Sequence, residues 1–276
     1  MSRNPIHIAL VSDHGYSRPL AVTIASILAS AAGEDTFHFH VIDLGLSAEC
    51  RERIDALREI RDFRIDCLEL PPERIEEAAG CRMEDMVARY RYPGAVLGRA
   101  FLPELLPSLP KVLYLDCDLV ALDSLKPLWD TDLDGKYAVC ARDALEYLRQ
   151  TQKDIEAYFA SLGIREGSPF FNSGVILLNL EKARKRNMTR RFFILLRQFG
   201  PSVKSGDQDI FNILFQGDYI VVPSMWNFQD PMSRWSEEFT FASPRFTPKV
   251  IHYTTGGKPW MPGNGCVHAD IYRRYA

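Results

Sequence analysis

The residues best suited to chemistry are a carboxylate pair and, far downstream, an imidazole followed by an ammonium. Asp116 and Asp118 flank Cys117 directly after the apolar run Lys111-Val112-Leu113-Tyr114-Leu115. A buried strand delivers both carboxylates to its end, where they are expensive to leave uncompensated and where a divalent cation offsets that cost. Two oxygen ligands from one strand end, with phosphate oxygens in the remaining positions, suit a hard ion such as Mn2+ or Mg2+. Near the C-terminus, His252 closes the apolar pair Val250-Ile251, and Lys258 follows across Tyr253-Thr254-Thr255-Gly256-Gly257. A histidine ending an apolar strand is commonly just packed and hydrogen-bonded. Here Gly256-Gly257 lets the backbone approach a ligand closely, and the lysine is a point charge suited to phosphate.

The D-x-D pattern alone is weak, since it occurs four times. Asp130-Thr131-Asp132-Leu133-Asp134 carries two overlapping matches in a polar stretch before Gly135, where aspartates make local turn hydrogen bonds. Asp207-Gln208-Asp209 precedes Ile210, Ile213 and Leu214 at helical spacing, so its carboxylates can cap a helix and complement its dipole. Only Asp116-Cys117-Asp118 ends an apolar strand, and it is the match read as a metal site.

The elements that must position these groups alternate. Residues 6 to 11 form an apolar strand, 17 to 32 a helix rich in Ala, Leu and Ile, and 37 to 44 a second strand. A charged helical stretch over 47 to 61 leads to a third strand over 63 to 70. The spacing predicts further strands at 111 to 115, 171 to 180, 219 to 222 and 249 to 253, with a helix over 205 to 215. The pattern implies an α/β fold with a mainly parallel central sheet flanked by helices, with ligands at the carboxyl ends of its strands. The chain reads as one domain over 1 to 276 with two halves, over about 1 to 120 and about 121 to 276, the first with the strand and helix pattern of a nucleotide half.

Composition narrows the field. The 276 residues are 46% hydrophobic and 25% charged with net charge -3, enough for a full core and without the basic field that nucleic acid binding needs. The six cysteines show no C-x-x-C spacing, which predicts reduced thiols and a cytoplasmic address. The opening run Ile6 to Val11 is too short for a signal peptide or a transmembrane segment; contact with the membrane periphery is left open.

A D-x-D after an apolar strand combined with H-x5-K-P-W resembles glycosyltransferase family 8, which includes glycogenin-like and bacterial lipooligosaccharide galactosyltransferase enzymes. The resemblance extends to Val11-Ser12-Asp13-His14-Gly15-Tyr16, Arg99, Leu128-Trp129, Phe171-Asn172-Ser173-Gly174-Val175 and Gly206-Asp207-Gln208-Asp209. It implies a GT-A-type nucleotide-sugar-binding domain that moves glucose or galactose from a UDP-sugar donor to a glycan or glycolipid acceptor, with retention and with Mn2+ or Mg2+. Asp116, Asp118 and His252 are then the metal ligands. Asp13 and Tyr16 meet the uracil, Tyr16 by stacking. Arg99, Asp143, Asn172 and Asp207 touch the sugar or its phosphates, Gly256 and Lys258 lie at the diphosphate, and Gln208 is at the reacting face of the sugar.

Retention by double displacement needs a carboxylate behind C1, and an amide such as Gln208 is a poor nucleophile. Front-face attack by the acceptor hydroxyl is therefore the mechanism this reading favours, with Asp209 the neighbouring carboxylate to test as a nucleophile. Two rival readings remain. Asp116-Cys117-Asp118-Leu119-Val120 also fits the D-x-D-x-[TV] pattern of haloacid-dehalogenase-type phosphatases, and a UDP-sugar-binding protein without transfer would keep the same donor residues. Residues 76 to 97 and 223 to 246, with Trp226 and Trp235 as candidates for sugar stacking, are expected to line the acceptor cleft.

Overall fold

A computed structural model describes residues 4–79, 97–149, 152–235, 247–263 and 265–276. Among the described residues the strands are β1 (Ile6–Asp13), β2 (Phe37–Leu44), β3 (Arg64–Leu68), β4 (Lys111–Leu115), β5 (Leu119–Ala121), β6 (Ala138–Arg142), β7 (Phe171–Asn179), β8 (Tyr219–Val222), β9 (Phe228–Gln229) and β10 (Val250–His252). Seven form a central sheet in the order β3-β2-β1-β4-β7-β6-β8, and β5-β10-β9 form a smaller one. The central sheet is parallel except at β7, which runs antiparallel to both β4 and β6.

Burial on both faces explains why β1 reads as a continuous apolar run. Ala9 and Val11 enter one core with Val112, Tyr114, Ile176, Phe192 and Phe211. Ile6, Ile8 and Leu10 enter the opposite core with Phe39, Val41, Leu113 and Leu115. Each such side chain, fully buried, contributes roughly 2 kcal/mol. The helix Ser17–Ser30 covers the second core with Leu20, Ile24, Ile27 and Leu28.

That helix also buries two hydroxyls, and both serve the chain between β4 and β5. Thr23 Oγ1 donates to the carbonyls of Cys117 and Leu119, each at 2.8 Å. Ser26 Oγ accepts from the Ala121 N–H at 3.0 Å. Buried polar groups are held in this way when they have work to do; here they clamp the turn that carries Asp116 and Asp118.

The expected opening strands, the first helix and the helix Asp207–Phe215 are present. The charged stretch forms the helix Ala48–Ala56, with Ser47 as its cap, followed by a tighter turn at Leu57–Glu59. Asp130 to Asp134 make the expected turn, with Asp134 at φ 46° and its N–H bonded to Asp132 Oδ1. Strands β5, β6 and β9 were not anticipated, and neither was the direction of β7. Asn172 and Gly174 consequently reach the site from the amino end of their strand, beside the carboxyl end of β4. Cys50, Cys67, Cys117 and Cys140 are free thiols, and Cys81 lies outside the described residues.

Candidate active site

The step from β4 to β5 takes the chain out of the large sheet into the small one, and Asp116-Cys117-Asp118 make that step. Cys117 turns inward, its thiol on the Val11 carbonyl at 3.1 Å. The antiparallel register of β5 with β10 pairs Leu119 with His252, and Tyr253 N–H bonds the Asp118 carbonyl at 2.9 Å. The small sheet therefore brings the distant histidine to the carboxylates. His252 Nε2 lies 3.2 Å from Asp118 Oδ1 and 3.5 Å from Asp116 Oδ2. One ligand atom from each of the three residues falls within 4.8 Å of the others.

The hydrogen-bond network fixes which imidazole nitrogen faces the carboxylates. Asn172 Nδ2 donates to Asp143 Oδ2 at 3.0 Å, so Asn172 Oδ1 is the acceptor for Asn227 Nδ2 at 2.9 Å. Asn227 Oδ1 is then left to accept from His252 Nδ1 at 3.0 Å. Nδ1 therefore carries a proton, and Nε2 is the nitrogen turned toward the two carboxylates. Three lone-pair donors facing each other repel unless a cation lies between them, and an imidazole held by its other nitrogen is the usual setting of a metal-bound histidine. The residues present fit a divalent ion.

Gly174 sharpens the fit. β7 crosses directly beside Asp116, whose N–H bonds the Gly174 carbonyl at 2.8 Å. A Cβ on Gly174 would stand 2.1 Å from His252 Cε1 and 2.7 Å from Asp116 Oδ2. The glycine is required by space rather than by its backbone angles.

Arg99 ties the carboxylate end to the helix Asp207–Phe215. Its guanidinium is 3.1 Å from Asp116 Oδ1, and its Nε is 2.8 Å from Asp207 Oδ2, an ion contact without hydrogen-bond alignment. It also donates to the Ser173 carbonyl at 2.6 Å and lies 4.5 Å from the Tyr114 ring centre. Burial raises the Asp207 carboxyl to about 7 against the pull of Arg99, while Asp116 adds to the rise. Burial likewise raises Asp143, opposed by the N–H groups of Leu145, Asn172 and Gln208 that its charged form accepts. Gln208 spends its whole amide here: Oε1 accepts from Asn172 Nδ2 and Ser173 N, and Nε2 donates to Asp143.

Lys258 Nζ donates to Asp118 Oδ2 at 2.8 Å. Burial works against both charges, yet Lys258 holds the Asp118 carboxyl below the ordinary range, and Asp118 raises Lys258. Between His252 and Lys258, Asp230 accepts from Thr254 N, Thr255 N and Thr255 Oγ1, pinning the loop that leads to Gly256. A Cβ on Gly256 would meet nothing within 4 Å. Asp13 ends β1 at the same pole of the sheet and accepts from Tyr16 N at 3.0 Å. The partly exposed Tyr16 ring meets the Trp260 ring edge-on at 5.6 Å.

Two of the expected residues sit apart from the cluster. Asp209 is fully buried, and its Oδ2 accepts from Tyr158 OH, Lys204 N and Ser205 N. These are the contacts of a residue anchoring a loop, and none is with the carboxylate–imidazole cluster. Trp226 is buried in the second core with Lys249 over its ring, because the segment before β9 packs under the sheet, and it is not open to stack on a sugar. Residues 80–96 and 236–246 lie outside the described residues, as does the side chain of Trp235. Asn227, Tyr114, Ser173 and Gly174 are site residues to which sequence reasoning gave no role. Only the last two carried a signal, through their place in the Asn172-Ser173-Gly174 segment.

The family profile described as "Glycosyl transferase family 8" matches residues 7–262. The chain belongs to glycosyltransferase family 8. It is 23% identical to General stress protein A of Bacillus subtilis over 98% of this chain and 92% of that one. Lipopolysaccharide 1,2-glucosyltransferase of Escherichia coli is 27% identical over 98% of this chain and 78% of its own. The crystal structure of the galactosyltransferase LgtC with donor and acceptor sugar analogues superposes with a TM-score of 0.82 at 28% identity, covering 98% of this chain and 95% of that one. The family 8 chain thus has a GT-A fold and is a glycosyltransferase, and the phosphatase reading of Asp116-Cys117-Asp118-Leu119-Val120 is set aside. Among the described residues, no helix is long and apolar enough to cross a membrane.

Proposed function

We propose that this family 8 enzyme moves a hexose, glucose or galactose, from a UDP-sugar to a glycan acceptor with retention, assisted by Mn2+ or Mg2+. The observation that carries the reading is the convergence of Asp116, Asp118 and His252, with Lys258 on the same carboxylate. In the proposed division of the chain, residues 1 to 120 hold the nucleotide and 121 to 276 the sugar and acceptor. When bound, the divalent ion supplies Lewis-acid stabilisation to the departing diphosphate.

The chain's own residues do the rest. Asp13 and Tyr16 hold the uracil, and Lys258, beside Gly256, contributes preorganised positive charge at the diphosphate. Arg99, Asp143, Asn172 and Asp207 orient the sugar and its phosphates. Gln208 is held by Ser173 N, Asn172 and Asp143, which supports a side chain fixed beside the sugar, with an amide too poor a nucleophile to attack it. With Asp209 anchored elsewhere, front-face substitution is favoured: the acceptor hydroxyl attacks from the leaving-group side and a diphosphate oxygen takes its proton. The named relatives include a glucosyltransferase and a galactosyltransferase, and the two donors differ at one hydroxyl.

The test is UDP release from UDP-glucose, UDP-galactose and UDP-N-acetylglucosamine in turn, with p-nitrophenyl phosphate as a control. Release from one hexose donor supports the reading and names the sugar. UDP binding without release from any donor, whatever acceptor is offered, would identify a binding protein that has lost transfer.

A further inference from the structure

A second cluster of ligating side chains lies at the other pole of the sheet. The parallel register pairs His7 of β1 with His38 of β2, and His40 of β2 with Asp66 of β3. Strand alternation puts all four side chains on one face. His7 and Asp13 stand at opposite ends of β1, so about 20 Å of strand separates the cluster from the active-site end.

The three rings are 4.2 to 5.3 Å apart, centre to centre. One nitrogen from each falls within 4.8 Å of the others. His7 Nδ1 and His40 Nε2 are 2.9 Å apart, His38 Nε2 is 2.7 Å from Asp66 Oδ2, and His40 Nδ1 is 3.6 Å from the same oxygen. His40 is only 4% exposed, and its Nδ1 has no hydrogen-bond partner among the described residues. Burial lowers both His7 and His40, with His38 repelling each, and it brings His40 to about 4.

As packing alone the arrangement is poor. A buried nitrogen without a partner costs about 1–3 kcal/mol, and apolar side chains in this register would avoid that loss. As a ligand set it is coherent: three imidazoles cluster, and Asp66, at the edge of the cluster against His38 and His40, offers a carboxylate as the fourth donor of tetrahedral zinc. The side chains of His38 and Asp66 are 18% and 55% exposed, which leaves an ion a way in.

We propose that His7, His38, His40 and Asp66 form a second metal site for a late first-row divalent ion, Zn2+ foremost, joining strands β1, β2 and β3. The site is chemically distinct from the active-site cluster, whose two carboxylates and one imidazole suit a harder ion. An ion bound there stabilises the folded chain, because the unfolded chain does not assemble the same four ligands.

The test uses the full chain stripped with a chelator and titrated with Zn2+ against a chromophoric competitor. Asp118→Ala should retain the tight zinc site, whereas His38→Ala should weaken it at least 100-fold, beyond the roughly 10- to 100-fold effect of losing an outer partner. Co2+ should give the visible absorption of a four-coordinate ion in wild type and in Asp118→Ala but not in His38→Ala. Zn2+ should raise the melting temperature of wild type only where His38 is intact. If His38→Ala does not fold, Asp66→Ala, at a more exposed position, carries the same readouts. Unchanged zinc affinity in the folded variants, loss of the site in Asp118→Ala instead, or no zinc binding tighter than about micromolar in wild type would each overturn the proposal.

Discussion

The ammonium of Lys258 lies 2.8 Å from Oδ2 of Asp118, a carboxylate 140 residues earlier in the chain. Oδ1 of the same carboxylate faces His252 Nε2 at 3.2 Å. The lysine thus supplies the positive charge nearest Asp118, where a divalent ion is proposed to bind, and in its proposed role it shares that charge with the diphosphate.

Lys258→Ala should therefore move two quantities in opposite directions. Removing a competing cation makes the site more negative and should tighten Mn2+ binding without donor by roughly ten-fold, about 1.4 kcal/mol. Losing the phosphate charge should raise donor KM and lower kcat. Calorimetric Mn2+ titration beside steady-state kinetics reads both; weaker Mn2+ binding in the variant would show that Lys258 does not compete for Asp118.

Asn227 is the acceptor that holds the proton on His252 Nδ1. Asn227→Ala should lower metal affinity by about 10- to 100-fold, as loss of an outer partner typically does. Raised Mn2+ should restore kcat. A variant with normal Mn2+ dependence would mean that the imidazole is oriented by packing alone.

Gly174→Ala places a methyl group against His252 and Asp116. Overpacking of this kind costs about 1–3 kcal/mol, and the chain can relieve it only by parting the two ligands. The expected result is a folded protein, slightly less heat-stable, with Mn2+-supported UDP release reduced by at least about 100-fold. Wild-type turnover in this variant would mean that the ligands need not stay where they are seen.

Much of the frame was legible from sequence, and the reasons are local. β1 is apolar because it is buried on both faces, and the acidic pair stands out because an apolar strand delivers it. The direction of β7 was hidden by the same effect: Phe171 to Leu178 are all buried, so alternation carries no information about faces or direction. β5 and β9 are three and two residues long, too short to register as a pattern, yet they and β10 carry His252 to Asp118. Asn227 follows a core tryptophan at the end of a single 3-10 turn, Ser224–Asn227, and its role depends on pairing that only the folded chain shows. Asp209 is a different case. Adjacency to Gln208 suggested shared chemistry, but neighbours on a helix point about 100° apart.

That difference is testable. Asp209→Ala takes from the Tyr158 hydroxyl and the Ser205 N–H the acceptor they share, while Lys204 N keeps Tyr158 OH, and should destabilise the fold by about 2–3 kcal/mol, with kcat per folded molecule changed only a few-fold. Gln208→Ala should lower kcat more than it raises donor KM. Loss of turnover in a fully folded Asp209 variant would return that carboxylate to the mechanism.

The most direct test of the account is UDP release from the preferred hexose donor as a function of Mn2+ after chelation, in wild type and in Asp118→Ala. Wild-type turnover should vanish on chelation and return saturably with the ion. Asp118→Ala should fall by about a thousand-fold at every Mn2+ concentration, matching the several kcal/mol that the ion contributes to a departing diphosphate. Turnover that survives chelation, or an Asp118→Ala enzyme that works as wild type does, would contradict the assignment of Asp116, Asp118 and His252 as the metal site.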